Sequence, residues 1–556
     1  MRKKRILWVN EASWKATGYS VYGKEVLSRL SQVPEFEVAE LACYATAEDV
    51  KENACEWFVF PNNPGEDSED YENYVHNPSL TFGEYTFNSV CLDFKPDIVM
   101  DIRDWWMFEY QQRSPFRDFF HWAIMPTVDA MPQNPQWINT FDSADSVLAY
   151  SEFGRDTMMS QCNTIPFVGV ASPAASDSFH QIADKAAHRE SMGMDPSSFI
   201  VGTVMRNQRR KLYPDLFKAF RAFLDKTQMT DAFLYCHTHY PDIGWEIPQL
   251  LDKFGLNNRV LFTYKCQGCG HVSPQFYQDA ASYCPKCKKF KKGLVGIKNP
   301  IDEQELNKIY NLFDVYVQYA NSEGFGMPQL EAAYAGVPLL GTNYSAMESV
   351  IKNIGAVGIE PLALSMECET GCYRAIPDNE TFVDLLEIYA NHRPALTMYG
   401  SGQRRLAQQN YNWDKTANVW IEHFKKIPMR DWSQTWRSAP QIKIPAEGMP
   451  AHIVDITDKV NYIFENVLHK PEWIGGYFWS KVVKDCTFGF RVKNEEDDYY
   501  FNESHRPSMH KYEPFCLVQA GAELKNMREQ WNNWEQIRAN RIQAESMNEN
   551  SLHRPL

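Results

Sequence analysis

The stretch NSEGFGMPQLEAAYAGVP, residues 321–338, decides the fold. Its Gly-Phe-Gly turn precedes a helical pattern that begins near Pro328, a residue that suits a first helical turn, and that residues 336–338 end. Backbone N–H groups at the start of a helix bind anions such as phosphate. Glu323 precedes the turn and Glu331 lies within the helix. A phosphate site flanked by two hydroxyl acceptors suits a nucleotide-sugar, and two ordinary surface glutamates beside a glycine-rich loop are the alternative.

The bulk composition limits the class of protein. The chain has 556 residues, 44% of them hydrophobic, which is enough for more than one core. A net charge of -15 argues against a chain that coats nucleic acid with a basic surface, although a local basic site stays open. The N-terminus, MRKKRILWVN, has too short an apolar run for a signal peptide, and no stretch is long enough to span a membrane. Thirteen cysteines without such a signal fit a reducing compartment, so we expect a cytoplasmic protein.

Apolar runs that end in polar residues predict two series of parallel strands, that is, two doubly wound α/β domains in tandem. Between the series, residues 165–179 are rich in Pro, Ala and Ser and read as a linker. In such sheets ligands bind beyond the carboxyl ends of the strands. The predicted strands are 5–10, 97–103, 121–129 and 145–153, then 199–207, 231–239, 259–264, 314–320 and 337–343.

Two cations follow the first strand of the second series. Arg206 lies just beyond that strand, and Lys211 enters the next helix five residues later. Cations at a strand end facing the Gly-Phe-Gly turn would neutralise a diphosphate. The alternative is a solvated basic turn that includes Arg209 and Arg210.

The order of these segments resembles the retaining GT-B glycosyltransferases typified by sucrose synthase and bacterial mannosyltransferases. The resemblance covers residues 1–428 and is strongest in the second half. It implies two Rossmann-like domains that face a cleft. The matching segments are Gly18 in the first loop, SEFGRD at 151–156, Arg206 with Lys211, residues 234–262, residues 306–315 and the opening stretch.

By this resemblance, Glu323 and Glu331 form the family's E-x7-E pair. Glu323 would contact the transferred sugar, and Glu331 would accept hydrogen bonds from the ribose hydroxyls. Arg206 and Lys211 would stabilise the leaving diphosphate. The backbone amides that would hold the sugar and the phosphate belong to Gly324, Phe325, Gly326 and Met327.

The first half of the chain departs from the family pattern in two places. Its first loop reads Gly18-Tyr19-Ser20 where many relatives carry paired glycines. The family's acceptor-side His-Asp is not evident, and Asp129 is our substitute, with a role as a turn cap as the alternative. No Asp-x-Asp motif is placed to hold a divalent ion, so we expect no catalytic metal.

Four cysteines form a second motif that does not depend on the family. They follow the pattern C-x2-C-x14-C-x2-C, which is typical of a structural tetrahedral zinc site without an open ligand position. Two disulfides are the alternative, and the missing signal peptide disfavours them. We therefore predict a zinc ribbon, inserted at a strand end on the ligand side, with ligands Cys266, Cys269, Cys284 and Cys287.

Lysines crowd this predicted ribbon. Seven of them stand against one acid, Asp279, in an otherwise acidic protein. Such a local basic patch could meet a phosphate-bearing acceptor, and a solvated lysine face on a structural module is the alternative. The lysines are 265, 286, 288, 289, 291, 292 and 298.

The sequence thus predicts three regions. Residues 1–175 form an acceptor domain, residues 176–428 form the nucleotide-sugar domain with the ribbon at 265–292, and residues 429–556 form an accessory region. Residues 411–427 read as a closing amphipathic helix. In the accessory region one apolar helix face could dock on the protein itself or on a second copy, as in a homo-oligomer. That face consists of Leu524, Met527, Trp531, Trp534 and Ile537.

These features together predict a retaining glycosyltransferase that moves a sugar from a nucleoside diphosphate donor to an acceptor hydroxyl. The acceptor would be a saccharide or a lipid-linked glycan. One alternative is a hydroxymethylated base in DNA, as some phage glycosyltransferases modify, which the lysines of the ribbon would suit. Another alternative is a non-catalytic nucleotide-sugar sensor or scaffold, which would have no need of Glu323, Glu331, Arg206 and Lys211 together.

Overall fold

The structure is a computed structural model. It describes residues 2–114, 116–278, 282–296 and 299–429, and two short paired strands, Val492–Lys493 and Tyr499–Tyr500. Asp279 and Lys298 lie outside the described residues, as does the apolar helix face predicted between Leu524 and Ile537. Among the described residues, every helix falls short of the length and apolar character that a membrane crossing requires.

The first sheet has seven strands in the order β3-β2-β1-β4-β5-β6-β7. Its central strand β1 is buried along nearly its whole length, because Ile6 to Val9 are apolar on both faces, as parallel strands covered on two sides require. From β3 across to β6, neighbouring strands are parallel. The strands are β1 (Lys4–Glu11), β2 (Phe36–Cys43), β3 (Phe58–Pro61), β4 (Ile98–Asp101), β5 (His121–Ile124), β6 (Ser146–Ala149) and β7 (Phe167–Val170).

The second sheet has eight strands. Seven follow the order β11-β10-β9-β8-β13-β14-β15, and β12 pairs with β10. Strands β8, β9, β10, β13, β14 and β15 are parallel to their neighbours, whereas β11 and β12 are antiparallel to β10. The strands are β8 (Phe199–Val204), β9 (Ala232–His237), β10 (Val260–Cys266), β11 (Val272–Phe276), β12 (Lys292–Leu294), β13 (Val315–Gln318), β14 (Leu339–Thr342) and β15 (Val357–Ile359). A separate antiparallel hairpin consists of β16 (Pro361–Met366) and β17 (Tyr373–Pro377).

Sixteen α-helices accompany these strands in the described part of the chain. In the second sheet's core, aromatic side chains of one helix, Phe217, Phe220 and Phe223, pack among the buried strand residues. The helices are α1 (Gly18–Leu30), α2 (Ala47–Glu52), α3 (Tyr71–His76), α4 (Tyr85–Phe94), α5 (Trp105–Gln112), α6 (Pro135–Asp142), α7 (Glu152–Gln161), α8 (Lys185–Ser191), α9 (Tyr213–Thr227), α10 (Ile247–Phe254), α11 (Glu303–Tyr310), α12 (Met327–Tyr334), α13 (Ala346–Ile354), α14 (Asn379–Asn391), α15 (Arg393–Asn410) and α16 (Trp413–Lys426).

The predicted α/β class with two parallel Rossmann-like sheets is confirmed, as is the closing helix α16. The linker predicted at 165–179 is wrong in part, because it contains β7, a short and largely accessible strand of four residues, FVGV. By contacts the described residues divide into two compact units, one that contains residues 2–126, 143–147 and 421–429, and the other residues 127–142 and 148–420. The domain boundaries predicted at 175 and 428 stay predictions.

Candidate active site

The carboxylate of Glu323 lies at the centre of a buried polar cluster beyond the end of β13. Lys211 forms an ion pair with its Oε1, and Arg210 Nη1 lies 3.2 Å from its Oε2. Gln318, the last residue of β13, donates a hydrogen bond of 2.7 Å to Oε1. The backbone N–H of Glu323 donates to the Ser345 hydroxyl at 2.9 Å. The carboxyl ends of β8 and β13 thus bring together an acid and two cations that are far apart in the sequence.

Charge pairing fixes the protonation of this cluster. Burial raises the pKa of Glu323, but the charges of Lys211 and Arg210 outweigh burial, so that its pKa lies below the ordinary value. Burial lowers the pKa of the Lys211 ammonium group to about 8, against the attraction of Glu323. At neutral pH both groups are therefore mainly charged. The cluster presents a net positive charge, since two cations face one carboxylate.

The Gly-Phe-Gly turn follows directly, and α12 begins at Met327 as the sequence predicts. Gly326 caps the helix with φ of 85°, a left-handed conformation that favours glycine. A Cβ at Gly324 would come within 2.3 Å of the Thr127 methyl group, so the backbone there packs too closely for a side chain. Among the described residues, the amides of Gly324, Phe325 and Gly326 donate no hydrogen bond to the protein. These amides can bind an anion at the helix N-terminus.

Glu331 lies one turn further along α12. Its Oε2 accepts a hydrogen bond of 2.6 Å from the Tyr310 hydroxyl. Burial raises the pKa of Glu331 to about 7, although this hydrogen bond opposes the shift. Burial thus disfavours the ionised form of Glu331. A ligand with hydroxyl groups suits this position, because hydroxyl donors stabilise the ionised form.

Arg206 lies apart from the Glu323 cluster in this structure. It forms a bidentate pair with Asp242, with Nε and Nη2 each 2.9 Å from a carboxylate oxygen. This hydrogen bonding raises the pKa of Arg206 and lowers that of Asp242. The second cation beside Glu323 is therefore Arg210, which the sequence suggested only as part of the alternative, a solvated basic turn. The diphosphate role of Arg206 stays a prediction.

Asp129 is linked to the same loop through an arginine of β17. Arg374 Nη1 lies 2.7 Å from Asp129 Oδ2 and also donates to the Ser322 hydroxyl at 2.7 Å. Arg374 Nη2 lies 2.8 Å from Glu367 Oε2. Burial lowers the pKa of Arg374, but the two carboxylates outweigh burial and raise it. Arg374 thus connects Asp129 to Ser322, the residue before Glu323. The contact of Asp129 with an acceptor stays a prediction.

Gly18 belongs to the first sheet's unit. It is the first residue of α1, and the Thr17 side chain caps that helix by accepting a hydrogen bond of 3.2 Å from the Ser20 backbone N–H. The Thr17 hydroxyl also donates to Glu11, the last residue of β1. Gly18 therefore lies at the carboxyl end of a parallel strand, where ligands bind in such sheets, and its contact with a donor stays a prediction.

The four predicted cysteines come together in one cluster. Their sulfur atoms all lie within 4.8 Å of one another, and the pairs Cys266–Cys287 and Cys269–Cys284 are each 3.7 Å apart. Tetrahedral coordination with metal–sulfur distances of about 2.3 Å has sulfur–sulfur edges of about 3.8 Å, so the residues fit a bound metal ion. Backbone N–H groups of Lys289 and Phe290 lower the pKa of Cys287 to about 6, whereas the pKa of Cys269 is raised to about 11 within the same cluster. The thiols are free, not disulfides.

We call residues 265–292, which contain this cluster, the four-cysteine module. Its lysines fall into two groups. Lys292 is buried, and Lys265 donates to the Pro300 carbonyl oxygen. The remaining lysines of the module are exposed, and none of them forms an ion pair within the described part of the chain. These exposed lysines are Lys286, Lys288, Lys289 and Lys291.

Several residues of the site have no sequence signal that would have identified them. Arg374 and Glu367 lie on a hairpin about fifty residues after Glu323, and Tyr310 lies in a helix that precedes it. Arg210 was visible only as a member of a basic run. Gln318 could have been found, because it is a polar residue at the end of a predicted buried strand.

Comparison with known proteins found similarity to glycosyltransferases. Residues 288–359, which include Glu323 and Glu331, match the family model described as "Glycosyl transferases group 1". Sucrose-phosphate synthase from Thermosynechococcus elongatus is similar in structure, with a TM-score of 0.56, 15% identity, and coverage of 77% of this chain and 99% of that one. HepE from Anabaena, in complex with UDP and glucose, has a TM-score of 0.53, 12% identity, and coverage of 76% and 99%.

A glycosyltransferase from Rickettsia africae is similar too, with a TM-score of 0.52, 12% identity, and coverage of 77% and 99%. The comparison with curated protein sequences found no match. At these identities the likeness concerns the fold, which is the two-sheet architecture typical of GT-B glycosyltransferases.

Proposed function

We propose that this chain is a retaining glycosyltransferase that moves a sugar from a nucleoside diphosphate donor to an acceptor hydroxyl. One observation carries the proposal. The segment that matches a glycosyltransferase family model contains the turn with unbonded amides and Glu323, which pairs with Lys211 and Arg210; these amides and cations would bind a diphosphate. UDP-hexoses are the first donors to test, because HepE, with the same fold, was solved in complex with UDP and glucose.

The chemistry that this site would perform is electrostatic. As the bond between the sugar carbon and the phosphate oxygen breaks, negative charge grows on the leaving diphosphate and positive charge on the sugar. Fixed cations and amides that face the diphosphate lower the energy of that charge separation. Lys211 is mainly charged at neutral pH, since its pKa is about 8. Glu323, kept ionised by Lys211 and Arg210, would face the sugar.

The remaining residues of the site would bind and orient. Glu331 would accept hydrogen bonds from the ribose hydroxyls, with the Tyr310 hydroxyl fixing its carboxylate. Arg206 would leave Asp242 to meet the diphosphate, and Gly18 would approach the donor from the first loop. Asp129, held by Arg374, would contact the acceptor. A zinc ion held by the four cysteines would be structural, since four protein thiolates leave no open position.

Donor hydrolysis tests the proposal without knowledge of the acceptor. The protein would be incubated with UDP-glucose, UDP-N-acetylglucosamine, GDP-mannose and ADP-glucose, and release of nucleoside diphosphate measured. NMR of the product with a small alcohol as acceptor reports whether the anomeric configuration is retained. Release from one donor class, abolished by Glu323→Gln, supports the proposal. Nucleotide-sugar binding without any release, in the presence of an alcohol or a saccharide, would favour a sensor or scaffold.

Two classes of acceptor are candidates, and one transfer experiment distinguishes them. A saccharide or a lipid-linked glycan is the first candidate. A hydroxymethylated base in DNA is the second, and the four exposed lysines of the four-cysteine module favour it because an acceptor with many phosphates would meet them. Transfer of radiolabelled sugar to a saccharide panel and to hydroxymethylcytosine-containing DNA would distinguish the two.

A further inference from the structure

The second half of the four-cysteine module displays two aromatic rings to solvent. Tyr283 is 63% exposed and Phe290 is 51% exposed. Both rings are carried by one turn, in which Cys284 N–H donates to the Phe290 carbonyl oxygen at 2.9 Å and Lys292 N–H donates to the Ser282 carbonyl oxygen at 3.0 Å. Rings exposed to this extent leave apolar surface that a ligand can cover.

The Phe290 ring is held in place by the first half of the module. A Cβ on Gly268 would come within 2.1 Å of the Phe290 ring, so only a glycine lets the ring lie against residues 266–269. An antiparallel bridge to Lys291 holds the backbone of Tyr283. The two rings are therefore presented by backbone that the cysteine cluster organises. Such rigidity lowers the entropy cost of binding a flexible ligand.

The charges around these rings are of one sign. The described residues of the module contain six lysines and no Asp or Glu. A divalent metal ion held by four thiolates carries about two negative charges, and Asp279 adds one more, so the module still keeps about three positive charges. The thiolates therefore do not account for all the lysines. Three of the exposed lysines lie between the two rings in the sequence, and the fourth, Lys291, follows Phe290.

We propose that this face of the module, formed by the two rings and the four exposed lysines, binds single-stranded nucleic acid. Unpaired bases would stack on Tyr283 and Phe290, and the lysine ammonium groups would contact backbone phosphates. This combination of aromatic rings and cations is how proteins bind single strands without reading their sequence. A duplex hides the faces of its bases and could not stack on the rings. An acidic peptide would contact the lysines and make no use of the rings. The inference goes beyond the proposed function, because such binding requires no sugar donor.

Fluorescence anisotropy with labelled oligonucleotides of about 20 residues tests the proposal on the full, metal-loaded chain. We expect saturable binding of single-stranded DNA or RNA with a Kd below about 100 µM at low salt. Tyr283→Ala and Phe290→Ala should each weaken binding by about tenfold. The matched control is Tyr399→Ala, which removes an equally exposed ring from α15 and should leave binding unchanged.

The lysines are tested by replacing all four exposed ones with Gln. The dependence of log K on log salt should become shallower by up to about 3, since each phosphate contact in a single strand contributes about 0.7. A control with the same charge change replaces exposed lysines elsewhere and should keep the parent's slope. Its positions are Lys51, Lys218, Lys253 and Lys352. Metal content and circular dichroism of every variant show that the module stays folded.

Several outcomes overturn the proposal. Absence of binding to both DNA and RNA single strands up to about 100 µM at low salt is one. A second is an affinity for poly-glutamate equal to that for the oligonucleotides. A third is tighter binding of duplex DNA that neither ring substitution weakens, because the rings would then not contribute to binding. An equal loss of binding in the control lysine variant would show that binding depends only on the net charge of the protein. A preference between the DNA and RNA arms supports the proposal and identifies the strand.

Discussion

Replacing Glu331 with Gln should make the protein more stable and at the same time a poorer binder of nucleotide. The carboxyl group of Glu331 has a pKa of about 7 instead of 4.5, with burial as the main cause. A carboxyl group with a raised pKa in the folded state contributes its full stability below the unfolded pKa, and that stability is lost as the pH rises through the folded pKa. The window of this loss is therefore pH 4.5 to 7.

The size of the effect follows from the shift. A difference of about 2.5 pKa units corresponds to about 3 kcal/mol at most. Because the side chain is only partly buried, solvent screening reduces this, and we expect about 1 to 2 kcal/mol. Gln keeps an oxygen that can accept the hydrogen bond from Tyr310 and carries no charge, so the variant should be free of this loss at pH 8.

Urea unfolding of the parent and of Glu331→Gln, followed by tryptophan fluorescence at pH 5 and pH 8, measures the difference. We expect the free energy of unfolding of the variant to exceed that of the parent by more at pH 8 than at pH 5. The control Glu52→Gln, at an exposed position in α2, should show no such increase. Calorimetry should show that the variant binds UDP at least about tenfold more weakly, since a charged hydrogen-bond acceptor for the ribose is lost. An advantage that is the same at both pH values would refute the raised pKa, and unchanged UDP affinity would refute the ribose contact.

Three further predictions concern the turn, the cation and the metal. Lys211→Ala should lower the rate of donor hydrolysis by about 10² to 10³-fold with a smaller change in KM, because its charge acts mostly as the diphosphate leaves; a change in KM alone would contradict this. Gly326→Ala should lower the free energy of unfolding by about 1 to 2 kcal/mol, because its φ is 85°, whereas Gly402→Ala, within α15 and with nothing near its Cβ, should raise it by up to about 1 kcal/mol in the same urea assay. Brief treatment with a strong chelator should leave transfer intact, and immediate loss that magnesium or manganese alone restores would show a catalytic metal.

The sequence predicted the parts of the fold in which hydrophobic pattern and turn residues agree. Strand β1 and helix α12 are examples, because the first is an apolar run and the second has proline at its start and glycine after its end. Strand β2 was missed because it carries Glu40, which is fully buried and hydrogen-bonded to Ser13 and Trp57. A buried acid interrupts the apolar pattern, and its partners are visible only in three dimensions.

The candidate site was predictable to the same degree. The four cysteines have a spacing that indicates a metal site, and in the structure their sulfur atoms meet. Lys211 and Glu323 were identified as site residues, but their ion pair joins residues 112 positions apart and was not predicted. The pairing of Arg206 with Asp242 depends on a loop after β9, which no local pattern specifies. The same holds for Arg374, which reaches Asp129 from a hairpin. Long-range ion pairs of this kind depend on tertiary packing, which the sequence pattern does not encode.

The antiparallel strands β11 and β12 lie at one edge of the second sheet, beside β10. Strand β11 covers the outer side of β10, and β12 pairs with the last residues of β10. Cys266 is both the end of β10 and a member of the cysteine cluster, so metal loss would loosen the cover at its attachment point. A bare, apolar β10 would then offer unpaired backbone groups to other chains. Metal supply during synthesis should therefore decide how much of the protein stays free of aggregates, independently of any effect on its chemistry.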